Sequence, residues 1–230
     1  MACVCFRKPG LGLALLAFRL AGVSVLAAQP LAAPEVLRGE VKIELEQARG
    51  FTVEETRTLP PAEARQAALD EAARYFGAMI YGWSFRYVAG ERARDLAETL
   101  ELSPLGTVDP ADPRLEATDW QWKDFNLYLW ADYRPAGAQR FRMAKWKAGS
   151  ARSVQGYGQS PLEDKHKALE DAARGAIRAM LRGNERNRPR EVTGYISLAA
   201  FPRYWLDRGQ WMTQGRFYVE ILEIRPFAAY

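Results

Sequence analysis

The sequence predicts an α+β protein in which a strand-helix-strand-strand unit occurs twice. Three observations carry that expectation. "ALDEAARYFGAMIYG" at residues 68 to 82 is echoed by "ALEDAARGAIRAMLRG" at residues 168 to 183. Each of these segments has apolar residues at three- and four-residue spacing, the period of an amphipathic helix. Each is flanked by β-branched and aromatic stretches with turn residues between them.

In the first helix Leu69, Ala72, Ala73, Phe76, Met79 and Ile80 trace the apolar stripe, while Asp70, Glu71 and Arg74 fall on the other side. In the second, Leu169, Ala172, Ala173, Ala176, Ile177 and Met180 do the same. Pro61 and Pro161 stand near the two helix starts, where a missing N–H costs nothing, and Gly82 and Gly183 close the ends. The helices are expected over residues 62 to 81 and 162 to 182.

"FTVEETRT" precedes the first helix; "WSFRYVAG", "DFNLYLWADYR" and "QRFRMAKWKA" follow as strands, with Pro135 and Gly137 marking a hairpin turn between the last two. "ARSVQGYGQS" precedes the second helix, and "EVTGYISLAAF" and "GRFYVEILEI" follow it. The chain therefore divides into a first α+β module over residues 40 to 148, with an insertion at 91 to 118, and a second over 149 to 230. The insertion offers a short helix around Leu96 and Leu100. Neither unit can bury its apolar face alone, so copy packing on copy is the expected solution.

Residues 1 to 28 have the order of a secretory signal peptide, with basic Arg7 and Lys8, an apolar stretch, and small residues before Gln29. Cleavage is expected after Ala27 or Ala28, with no transmembrane segment once it is removed. No cysteine follows "VLAA", so no lipid-attachment site is present there. The reading places the chain in the periplasm or exported beyond it.

Losing Arg7, Lys8 and Arg19 changes a balance of 32 basic to 28 acidic residues into 29 to 28. A nearly neutral protein lacks the clustered positive charge that nucleic-acid binding requires. Both cysteines, Cys3 and Cys5, lie in the signal, which leaves no thiol for disulfides, nucleophilic catalysis or cysteine zinc sites.

"VQGYGQSPLEDKHKALEDAARGA" resembles the β-α-β-β module of small bacterial envelope lipoproteins and of the N-terminal domain of flagellar assembly protein T, through Gly156-Tyr157-Gly158, then Ala168, Asp171, Ala172 and Ala173, then a long hairpin. The resemblance covers residues 150 to 225, and residues 50 to 146 in outline. It implies a structural or assembly protein of the envelope or flagellum without catalysis. The missing lipid-attachment cysteine departs from the lipoprotein pattern.

The inventory for catalysis is sparse. His166 is the single histidine and stands between Lys165 and Lys167 with no recognisable base-nucleophile motif around it. Gly156-Tyr157-Gly158 lacks the spacing of a dinucleotide turn. "DPADP" at 109 to 113 has too few oxygen ligands for calcium. No catalytic residue, cofactor or metal is expected, and a hydrolase built on surface carboxylates ranks last.

Tryptophan stands out, with seven in the chain. Along "DWQWKDFNLYLWADY", read as one strand, Trp120, Trp122, Tyr128 and Trp130 share one face and Phe125, Leu127 and Leu129 the other. The aromatic face is expected either to be core between the modules or to receive an envelope protein partner. A glycan or peptidoglycan ring stacked on the exposed tryptophans is the alternative.

Overall fold

The computed structural model describes residues 36–48, 56–90, 95–184 and 190–226. The signal segment and most of the loop around residues 185 to 189 lie outside them. In order the elements are β1 (Leu37–Glu44), β2 (Glu46–Ala48), β3 (Thr56–Thr58), α1 (Pro61–Ile80), β4 (Trp83–Val88), β5 (Thr99–Pro104), β6 (Leu115–Lys123), β7 (Asn126–Tyr133), α2 (Gly137–Ala148), β8 (Arg152–Pro161), α3 (Lys165–Asn184), β9 (Arg190–Leu198), β10 (Arg203–Asp207) and β11 (Gln210–Pro226). The protein is α+β, with helices packed on antiparallel sheets.

A three-stranded sheet has the order β1-β7-β6. A six-stranded sheet runs β10-β11-β9-β4-β5, with β8 on the free side of β11. The 17-residue β11 is long enough to pair β8 along one edge, and β10 and then β9 along the other. β2 and β3 form a separate small ribbon.

Helix α1 starts at Pro61, whose ring suits the first helical turn, and ends before Gly82, whose φ of +67° is left-handed. It touches β1 and β7 of one sheet, β9 of the other, and α2, so residues on more than one side of it are buried. That geometry corrects the expected polar face, because Glu71 is buried together with Ala72, Tyr75 and Phe76.

Helix α3 keeps its expected stripe, with Leu169, Ala172, Ala173, Ala176 and Ile177 all buried. It begins later than expected. Pro161 is the last residue of β8, and Asp164 caps the helix by accepting the N–H groups of His166 and Lys167 at 3.2 and 3.3 Å. Gly183 lies within its last turn. α3 rides almost in backbone contact on β8, since a Cβ at Gly156 would stand 1.9 Å from the Ala172 carbonyl oxygen and one at Gly158 would stand 2.2 Å from that of Ala168. The glycines at 156 and 158 are therefore explained by helix-sheet approach.

Two other expectations are corrected. Residues 137 to 148 form α2 instead of a strand: Gln139, Met143 and Trp146 are buried at four- and three-residue spacing, and Gln139 Oε1 accepts the Ala136 N–H at 2.8 Å. The Trp146 indole then donates to the Ile80 carbonyl at 3.2 Å, which satisfies an end of α1. The helix expected near Leu96 and Leu100 is replaced by β5, whose Leu100 and Leu102 alternate inward beside β4.

An internal duplication is not confirmed. β4 follows α1 and β9 follows α3, but these two strands pair with each other in one sheet, with Trp83 opposite Ile196. Leu169 is buried, whereas Leu69 is only partly so.

Candidate functional site

The aromatic segment 119 to 133 is not one strand but a hairpin. β6 and β7 meet at a two-residue turn in which Asp124 and Phe125 have φ of 49° and 57°, the left-handed pair of a tight hairpin turn. The Leu45 N–H donates to the Phe125 carbonyl at 2.9 Å, and the Asn126 side chain donates to the Asp124 carbonyl at 2.6 Å.

The turn regroups the aromatic residues. Trp120 pairs opposite Leu129 and Trp122 opposite Leu127, and directly opposed residues project to the same side. Trp120 and Trp122 therefore share the inner face with the fully buried Leu127 and Leu129, while Tyr128 and Trp130 lie on the outer face. The expected grouping of Trp120, Trp122, Tyr128 and Trp130 on one face is thus overturned by two residues of turn, which break the alternation.

On the inner side Trp120 packs against the core, and the Arg65 guanidinium from α1 stands 5.9 Å from the ring centres of both Trp120 and Trp122. On the outer side Trp130 lies opposite Glu40 and Asp119, and Tyr128 opposite Lys42 and Gln121. Among the described residues β6 pairs only with β7, which leaves its second edge without a strand partner there. Thr118, extra in a bulge beside Ala117, donates to the Trp130 carbonyl at 3.0 Å and twists that edge. At the tip Phe125 is 73% exposed; Trp122 beside the turn and Trp130 farther along β7 are 41% exposed each.

A second feature escaped the sequence reading. The ends of β1 and α3, the middle of α1 and the β10–β11 hairpin enclose a cleft of about 680 Å³. Lys165 lies at its base. Its Nζ donates to Glu71 Oε1 at 3.0 Å and to the Lys42 carbonyl at 2.9 Å, and stands 4.8 and 5.4 Å from the ring centres of Tyr204 and Trp211. The Tyr75 hydroxyl donates to the same Glu71 oxygen at 2.5 Å. Burial, and then the charge of Glu71, push the Tyr75 hydroxyl far above its ordinary range.

His166 lines this cleft half-buried, and its Nδ1 meets no hydrogen-bond partner among the described residues. Burial, followed by the nearby Arg74 charge, lowers its pKa. Glu71 and Lys165 are 94 positions apart, and no local motif announces their meeting.

The "DPADP" carboxylates are engaged internally. Asp109 accepts the Ala111 N–H at 2.9 Å, and Asp112 holds the Arg114 guanidinium at 2.6 Å, which lowers its pKa to about 2. Among the described residues no group of three or more His, Cys, Asp or Glu is placed to hold a metal ion. No helix among them is long and apolar enough to cross a membrane.

The chain is 24% identical over 185 residues to an uncharacterized protein of Treponema pallidum (strain Nichols), an alignment that covers 77% of this chain and 74% of that relative. No solved structure matches it. A family model matches residues 25–227, nearly the whole length, and the chain belongs to that family of uncharacterized proteins.

Proposed function

We propose that the protein is an exported component of the cell envelope that works by protein contact through the tip of the β6–β7 hairpin and has no active site of its own. One observation carries this reading: Phe125, the most exposed of the large apolar side chains among the described residues, sits in a left-handed turn position. A non-glycine residue there costs roughly 1 to 2 kcal/mol, and glycine or asparagine would hold the turn with less strain. Strain retained at an exposed aromatic tip fits a residue kept for contact, because strained positions concentrate where function over-rides stability. Trp122 on the inner face next to the turn and Trp130 farther along the outer face add exposed aromatic area to the same hairpin, and aromatic anchors dominate binding interfaces. The export signal read at residues 1 to 28 sets the compartment in which the partner is sought, and the assembly role, flagellar or outer-membrane, follows from the resemblance noted in the sequence.

The test is in-cell cross-linking with the full chain and with a Phe125→Ser, Trp130→Ser variant. The expected result is a discrete adduct that the variant loses while remaining folded. An unchanged adduct in the variant removes the hairpin from the proposal.

Glycan binding is the second reading, and the pair Tyr128 and Trp130 favours it. These rings lie two residues apart on the outer face, with Glu40, Lys42, Asp119 and Gln121 around them to hydrogen-bond sugar hydroxyls. Co-sedimentation with purified peptidoglycan, lost on Trp130→Ala, supports this reading over protein contact.

A further inference from the structure

The cleft beside Lys165 contains charges of both signs that the protein leaves unmatched. Asp70 and Arg74 both line it and stand one helical turn apart on α1, a spacing at which opposite charges ordinarily pair. They do not. Asp70 accepts the Gln66 amide at 2.8 Å, and Arg74 forms neither an ion pair nor a hydrogen bond within the described residues. Of the other charges in the lining, Lys165 pairs with Glu71 and stands 3.9 Å from Glu44, Asp164 pairs with Lys167 at 3.2 Å, and Glu46 and Glu163 add negative charge, which leaves Arg74 as the cation that no carboxylate of the described residues holds.

Ile43, Leu162, Leu206 and Trp211 add apolar surface to the same cleft. Its volume of about 680 Å³ lies within the range of small-molecule sites, and its lining sets these apolar side chains beside a larger number of charged ones. A ligand that satisfies this arrangement carries an ammonium toward Asp70, a carboxylate toward Arg74 about one helical turn away, and an apolar side chain against Leu162, Leu206 and Trp211.

We propose that this cleft binds a zwitterionic amino acid or dipeptide with an apolar side chain, held between Asp70 and Arg74. The inference is independent of the hairpin contact, which involves other residues. A bare cation or bare anion satisfies one of the two groups and leaves the other unmatched, which is why the zwitterion is preferred.

Calorimetric titration of the full chain with L-leucine and with leucyl-leucine tests it, alongside N-acetyl-L-leucine, which lacks the ammonium, and L-leucinamide, which lacks the carboxylate. The expected result is saturable binding of at least one zwitterion, weakened about tenfold or more by either cap, as loss of one charged hydrogen bond implies. The tighter of the two zwitterions identifies a free amino acid or a peptide as the source. Arg74→Gln should erase the advantage of a free carboxylate, and Asp70→Asn that of a free ammonium. Both side chains are exposed, so each variant is expected to keep the wild-type circular dichroism and melting curve. Failure of both zwitterions to saturate at millimolar concentration overturns the proposal. So does equal binding of the capped compounds, a comparison made on the wild-type chain that holds whatever the variants do. Folded variants that bind as wild type overturn it as well.

Discussion

Lys165 Nζ lies 3.0 Å from Glu71 Oε1, joining the first residue of α3 to the middle of α1 across 94 positions of sequence. Both side chains are nearly excluded from solvent, at 13% and 8% exposure. Removing Glu71 leaves the Lys165 ammonium buried with only the Lys42 carbonyl at 2.9 Å and the more distant Glu44 carboxylate at 3.9 Å to offset it. Glu71→Ala is therefore expected to destabilise by about 3 to 5 kcal/mol, and Glu71→Met with Lys165→Met by less than the two single changes combined. Denaturant unfolding of the wild type and these variants measures this.

The close approach of α3 to β8 leaves no room for a methyl group. Gly156→Ala places a carbon against the Ala172 carbonyl oxygen, which is backbone and yields only if the helix shifts. A loss of about 1 to 3 kcal/mol is expected, read as a lowered thermal midpoint.

Leu169 is buried under α3 and Leu69 is only partly covered by α1. Leu169→Ala should cost about 2 to 5 kcal/mol, and Leu69→Ala clearly less. Equal costs would indicate that the two positions are equivalent in packing.

The His166 shift fixes the sign of a pH dependence. An unfolded histidine titrates near 6.5, and burial and Arg74 lower the folded value, against smaller opposing effects of Glu71 and Asp164. Below about pH 6.5 the unfolded chain takes up a proton that the folded chain refuses. Its contribution is therefore present in full above that pH and is lost as pH falls toward the folded value. His166→Gln should flatten the decline of stability between about pH 7 and pH 5, measured by unfolding at fixed ionic strength.

Phe125→Gly removes the strain of a left-handed phenylalanine and creates an Asp-Gly turn, the favoured hairpin type. The variant should be more stable than wild type by about 1 kcal/mol, an outcome visible as a raised thermal midpoint.

Where periodicity was unambiguous, the sequence was enough: both long helices, β4, β8, β9 and β11 lie where residue spacing places them. It failed where two periods compete. In "QRFRMAKWKA", Phe141 and Met143 alternate as in a strand, while Met143 and Trp146 keep helical spacing, and burial against the end of α1 decided for the helix. The hairpin turn was hidden because Asp124-Phe125 carries no glycine or asparagine. Missing it reversed the face assigned to Trp120 and Trp122. Nothing local marked the cleft, because Glu71, Lys165 and Trp211 meet only through the packing of three distant segments.

The contact role of the hairpin tip is tested most directly by a photo-reactive phenylalanine analogue at position 125 of the full chain in living cells, with the same analogue at exposed Leu222 on the larger sheet as the control. The account predicts one discrete high-mass adduct from position 125 and none from position 222. No adduct at 125, or the same adducts from both positions, would contradict it.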